Sequence, residues 1–161
     1  MPVKSSAPFV IGEALLAAFD TNDRINQYLL DNLAPEAWRA EPPQKKGRDI
    51  AAIVAHMHNV RVMWLKATGG KIPGQLNRHD VTPPQAKKAL EASRSALREV
   101  LQNSLAGNGR VKGFRPDVAG FLAYLITHDA HHRGQISMLA RQTGHPSSQK
   151  AMFGMWEWGS R

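Results

Sequence analysis

The sequence predicts an all-α protein, a four-helix bundle. Four long stretches carry apolar residues at helical spacing, and each is bounded by residues that cap or break helices. Strand-like alternation is not evident in any stretch, and no internal repeat or low-complexity segment interrupts the four. A chain of 161 residues most naturally makes one domain, here residues 1–161, and buries roughly 70% of the surface its unfolded form exposes.

The first helix is expected from about Val10 to Leu33, with Leu15, Phe19, Ile25, Leu29 and Leu33 in its apolar stripe, and it stops at Ala34-Pro35. A Pro-rich, basic loop, "PEAWRAEPPQKKGR", leads into a second helix over Asp49 to Ala67, which Gly69-Gly70 ends. The third opens at "TPPQ", where Thr82 can cap and Pro83 suits the first helical position. It closes near "AGNG", with a glycine available for a left-handed C-cap. Asp117 caps the fourth, which continues to about Gln142 before Gly144.

Composition narrows the chemistry. Cysteine is absent, which removes disulfides, thiolate ligands and a cysteine nucleophile, and fits a reducing, cytoplasmic setting. Any metal must be held by imidazole and carboxylate, and any thiol must come from outside. The net charge of +8 raises the question of nucleic acid, but the basic residues are scattered and no aromatic residues interleave with them as a stacking platform. Specific nucleic-acid binding is therefore not expected, whereas a small anionic substrate suits such a surface. Lys4 followed by "APFVIGEALLAAF" has the outline of a signal peptide, but Glu13 interrupts its apolar part. No apolar run approaches the roughly 20 residues a membrane span needs.

The chemistry-bearing stretch is "THDAHHRGQ", Thr127 to Gln135, with three histidines in five positions. Side chains advance by about 100° per residue along a helix. His132 then falls within the buried stripe of Phe121, Leu125, Ile136 and Leu139, His128 lies on its flank, and His131 points away toward Tyr124 and Met138. His128 and His132 can meet one metal ion, since an i, i+4 pair is the spacing at which a helix presents two imidazoles together. The competing reading is a pair of hydrogen-bonded core histidines. The second helix offers His56 and His58 on opposite edges of a stripe marked by Ile50, Ile53, Met57, Val60 and Trp64, and periodicity does not choose between them. His79 and His145 read as surface residues of loops.

The chain resembles the DinB-like family. The resemblance rests on "IAAIVAHMHNVRVMWL" in the second helix and "YLITHDAHHRGQISMLARQTGHP" in the fourth, with "MWEWG" as weaker support, and spans essentially the full chain. It implies a four-helix bundle holding a divalent metal on one histidine of the second helix and two of the fourth: here His56, His128 and His132. Three neutral imidazoles suit zinc, nickel, iron or copper and leave a coordination position for water or substrate. Relatives include transferases that use low-molecular-weight thiols such as bacillithiol or mycothiol, and a thiol-dependent isomerase. The function this implies is a metal-dependent transferase or hydrolase acting on a small molecule, and the family's bundles commonly form homodimers.

Other residues complete the picture. Gln135 is expected to line the pocket, and Arg133 to do so or to make an interhelical salt bridge. Trp156 and Trp158 close the mouth of the pocket or cover the open end of the bundle. Asp129 sits beside His128 as the acid of a zincin motif does, but aspartate is one methylene short for a peptidase base and no third ligand follows downstream. A non-catalytic protein that senses or sequesters a ligand is the main alternative class, and a basic nucleic-acid-binding bundle the lesser one.

Overall fold

The structure, a computed structural model, describes residues 8–161. Lys4 and the start of the signal-like stretch lie outside them. The four expected helices are α1 (Ile11–Asp31), α2 (Ile50–Thr68), α3 (Pro83–Ala106) and α4 (Val118–Gln142). Their ends follow from local chemistry. Asp49 and Asp117 accept from the backbone N–H of Ala52 and Gly120, satisfying helix donors that have no partner within the helix. Thr82 and Gln85 form a reciprocal capping box at the start of α3. Gly69 ends α2 at φ 79°, a left-handed conformation that glycine adopts without Cβ strain.

Three details differ from expectation. α1 is shorter at both ends. The residue after α3, Gly107, has φ −98°, so it is not a left-handed cap; Gly109, at φ 72°, makes that turn and its N–H reaches the Ser104 carbonyl at 2.9 Å. A further short helix, α5 (Gln149–Gly154), follows α4.

α1 and α2 each pack against both α3 and α4. Two apolar clusters fill the bundle. One gathers Leu29, Ile50, Ile53, Val54, Met57, Leu90, Ile136 and Leu139; the other gathers Leu16, Phe19, Leu65, Leu97, Leu101, Phe121 and Leu125. Along every helix, a polar segment separates the two. Asn22, Asp23 and Asn26 on α1, Arg61 on α2, Ser93 on α3 and Asp129 on α4 are all buried at that level. The fold thus carries a polar layer between two apolar halves, and the histidines of interest sit beside it.

Candidate metal centre

α2 contributes His56, and α4 contributes His128 and His132. One ligand-capable atom from each lies within 4.8 Å of the other two, a group that could hold a metal ion. The ring centroids of His56 stand 4.8 Å from His132 and 5.5 Å from His128, while those of the α4 pair are 4.5 Å apart. The Nε2 atoms of His128 and His132 are separated by 3.1 Å. Two nitrogens bound to one ion at about 2.0–2.1 Å each lie about 3.0–3.4 Å from one another, so the pair is already spaced as ligands would be.

Gln135 fixes the orientation of His132. Its Oε1 lies 2.7 Å from Nδ1 of the imidazole, and a carbonyl oxygen can only accept, so Nδ1 carries the proton. Nε2 is then left with its lone pair facing His128, the arrangement by which an outer hydrogen bond aims a histidine at a metal. Tyr124, one turn before His128, stacks on that ring at 6.2 Å and joins Trp64, Phe114 and Phe121 in an aromatic wall.

The site keeps its imidazoles neutral. Burial is the largest cause for all three, disfavouring the charged form. For His56, the nearby charge of Arg48 and the other two histidines add to it and push the pKa down to about 4. The fold therefore prefers these groups unprotonated, the state a metal needs. In the metal-free protein their contribution to stability is complete above about 6.5, the ordinary histidine value. It is lost as the pH falls through the window toward about 4. The melting temperature of metal-free protein should accordingly drop between pH 7 and pH 5, and the drop should be shallower in His56→Gln. An equally steep fall in that variant would contradict the depressed His56.

Asp129 has a different place from a zincin acid. It is 1% exposed, and its Oδ2 accepts from Arg61 at 2.8 Å, Asn22 at 2.7 Å and Asn26 at 2.9 Å. Burial opposes its ionisation, but Arg61 and Asn26 outweigh that and hold the carboxyl below its usual range. Such an acid is a poor proton acceptor. Its Oδ1 stands 4.0 Å from Nδ1 of His128, beyond hydrogen-bond reach, so it influences that ring through its charge. Arg61 also binds Asp23 at 2.8 Å and the Leu90 carbonyl at 3.0 Å. Asp23, whose one charged donor among the described residues is Arg61, is pushed up by burial. Arg133 makes no interhelical salt bridge among the described residues; it joins α4 to α1 through the amide oxygens of Asn22 and Asn26 at 2.8 and 2.6 Å. The two amides thereby connect the Arg133 guanidinium to the Asp129 carboxylate.

The family model described as the DinB family matches residues 1–157. The chain belongs to the DinB family. A search of the solved structures finds a DinB-like protein from Bacillus cereus ATCC 10987, with a TM-score of 0.68 at 24% identity, over 84% of this chain and 95% of that one. At that identity the likeness speaks for the fold. No curated protein matches.

The other residues singled out in this DinB-family sequence divide cleanly. His58 is fully buried and structural: its ring nitrogens meet Ser93 Oγ at 3.2 Å and the Gly74 carbonyl at 2.8 Å, pinning the α2–α3 loop. His131 is exposed and outside the trio. Trp156, expected at the pocket, is 79% exposed and lines a groove with Trp158, Ala130, Gly134, Ser137 and Arg141. Those α4 positions lie on the side of the helix opposite His128 and His132, so neither tryptophan closes the histidine centre. Arg61, Asp23, Asn22 and Asn26 escaped the sequence reading. The one signal was "TNDRIN" interrupting the apolar stripe of α1.

Proposed function

We propose that the protein is a metal-dependent enzyme in which His56, His128 and His132 hold one divalent ion, zinc, nickel or iron. Its reaction is the transfer of an external low-molecular-weight thiol to a small molecule, or hydrolysis of one. The observation that carries this reading is three uncharged imidazoles converging from two helices, one of them aimed by Gln135. Three protein donors leave room for a further ligand, as catalytic rather than structural sites do. When bound, the ion supplies Lewis acidity and raises the acidity of a water or thiol beside it. The chain's own residues do the rest. Gln135 keeps the His132 proton on Nδ1, burial keeps all three rings neutral, and Tyr124 packs beside the His128 ring.

A homodimer belongs to the same proposal. Met138, Phe153 and Trp156 are largely exposed and present apolar surface that a second copy would cover. Among the described residues no helix is long and apolar enough to cross a membrane.

The test is elemental analysis of protein purified without a histidine tag, followed by turnover with electrophiles and either thiol. We expect one divalent ion per chain, and in Gln135→Ala an affinity about 10–100-fold weaker. Protein without stoichiometric metal after exposure to all three ions would overturn the reading. Metal without turnover in thiol or hydrolysis assays would leave a binding protein in place of an enzyme.

A further inference from the structure

A cleft of about 510 Å³ opens beside the histidine centre, between the α1–α2 loop and the outer turns of α4. Gln135 belongs to both: its Oε1 holds His132 while its side chain lines the cleft. The other walls include Lys46 and Arg48 from the loop and Ile53, Met138 and Leu139 from the helices. No acidic residue lines it. Nearby acids are engaged elsewhere, Asp49 with Arg39 at 3.2 Å and with the N–H of Ala52, and Glu41 with Lys45 at 3.9 Å. Arg48 and Lys46 have no ion pair among the described residues. The loop that carries them is held in a costly shape. Gln44 and Lys45 have φ of 59° and 55°, and Gly47 has φ of 98°. A non-glycine residue in that region costs on the order of 1 kcal/mol or more.

We propose that Arg48 and Lys46 form a subsite for an anionic group of the substrate, a carboxylate or phosphate, and seat its reactive end at the histidine centre. This deepens the proposed function and rests on it for the role of the histidines. A guanidinium offers a planar pair of donors that matches either anion, and the neighbouring ammonium adds charge without competing for the same geometry. Gln135 lines the cleft and holds His132 Nδ1 at 2.7 Å, so an anion seated there stands one side chain away from the centre. The remaining lining is apolar or amide, Gln44 and Gln142 included, so Lys46 and Arg48 carry the cleft's only formal charges and set the sign of what enters.

The test is a titration of metal-free, full-length protein with inorganic phosphate at constant ionic strength, followed by amide chemical shifts. Saturable shifts are expected at Gly47, Arg48 and Gln135. Arg48→Ala should weaken the phosphate affinity about 10-fold, Arg48→Lys should fall between, and Arg110→Ala, in a separate basic loop, should match the wild type. Equal shifts across the 110–115 loop, or an Arg48→Ala affinity like the wild type's, would overturn the subsite. Metal uptake is measured on separate portions of the same preparations, exposed to zinc without phosphate. Phosphate binding in a chain that takes up no metal would sustain the subsite and defeat the metal reading; full metal content with no phosphate effect at Arg48 would do the reverse.

Discussion

Replacing Arg61 by alanine is expected to destabilise the protein by about 3–5 kcal/mol, the usual cost of removing one partner from a buried ion pair. The residue is 1% exposed, yet its guanidinium serves Asp23, Asp129 and the Leu90 carbonyl together. Without it, two carboxylates at 1% exposure each stay buried away from water with no direct charged partner. Asn22 and Asn26 still donate to Asp129, but amides carry no charge to offset it. Since a domain of this kind is stable by about 5–15 kcal/mol in all, the variant should stand near the limit of folding. Denaturant melts of Arg61→Ala and Arg133→Ala separate the parts. Arg133 sits at the edge of the layer and bonds only amide oxygens, so its loss should cost less. Equal stability of Arg61→Ala and the wild type would show that the polar layer does not hold the bundle together.

The second large effect falls on metal binding. His56→Ala and His132→Ala should each weaken affinity by more than the roughly 10–100-fold that loss of an outer hydrogen-bond partner costs, because each removes a ligand itself. His128→Ala should behave alike. His131→Ala is the control one residue away: its exposed ring lies outside the trio, and it should bind metal as the wild type does. Isothermal titration with zinc reads all four. If His131→Ala loses the ion while His132→Ala keeps it, the ion sits on the outer face of α4, and the centre described above is not the site.

The four helices were legible because of their repeating apolar stripes and nearby stops or caps: Thr82 and Asp117 at starts, Pro35 and Gly69 at ends. The convergence of His128 and His132 was legible for the same reason, since both sit on one helix and its period relates them. His56 against His58 was not, because helical phase placed both on the edges of the α2 stripe. The structure separates them by what lies opposite: Ser93 and the Gly74 carbonyl take up His58, while the α4 pair faces His56. The polar layer was hidden for a related reason. Asn22 and Asn26 fall in the phase of the α1 apolar stripe with Asp23 at its flank, but nothing on α1 shows what would satisfy them there, and Arg61 comes from a helix far along the chain. Trp156 was misplaced because the direction taken by a short C-terminal helix depends on packing: Gly154 lets α5 close on Tyr28, whose ring carries the Arg161 guanidinium at 3.8 Å. That path runs along the back of α4.

X-ray absorption at the edge of the bound ion, on the zinc-loaded wild-type chain, reads the donors of the three-histidine centre themselves. Imidazole rings give a scattering pattern from their outer atoms that can be counted, and carboxylate or water oxygens do not. Three imidazoles are expected, falling to two in His56→Ala protein loaded with excess zinc. A wild-type spectrum with two imidazoles or fewer, unchanged by His56→Ala, would contradict that centre.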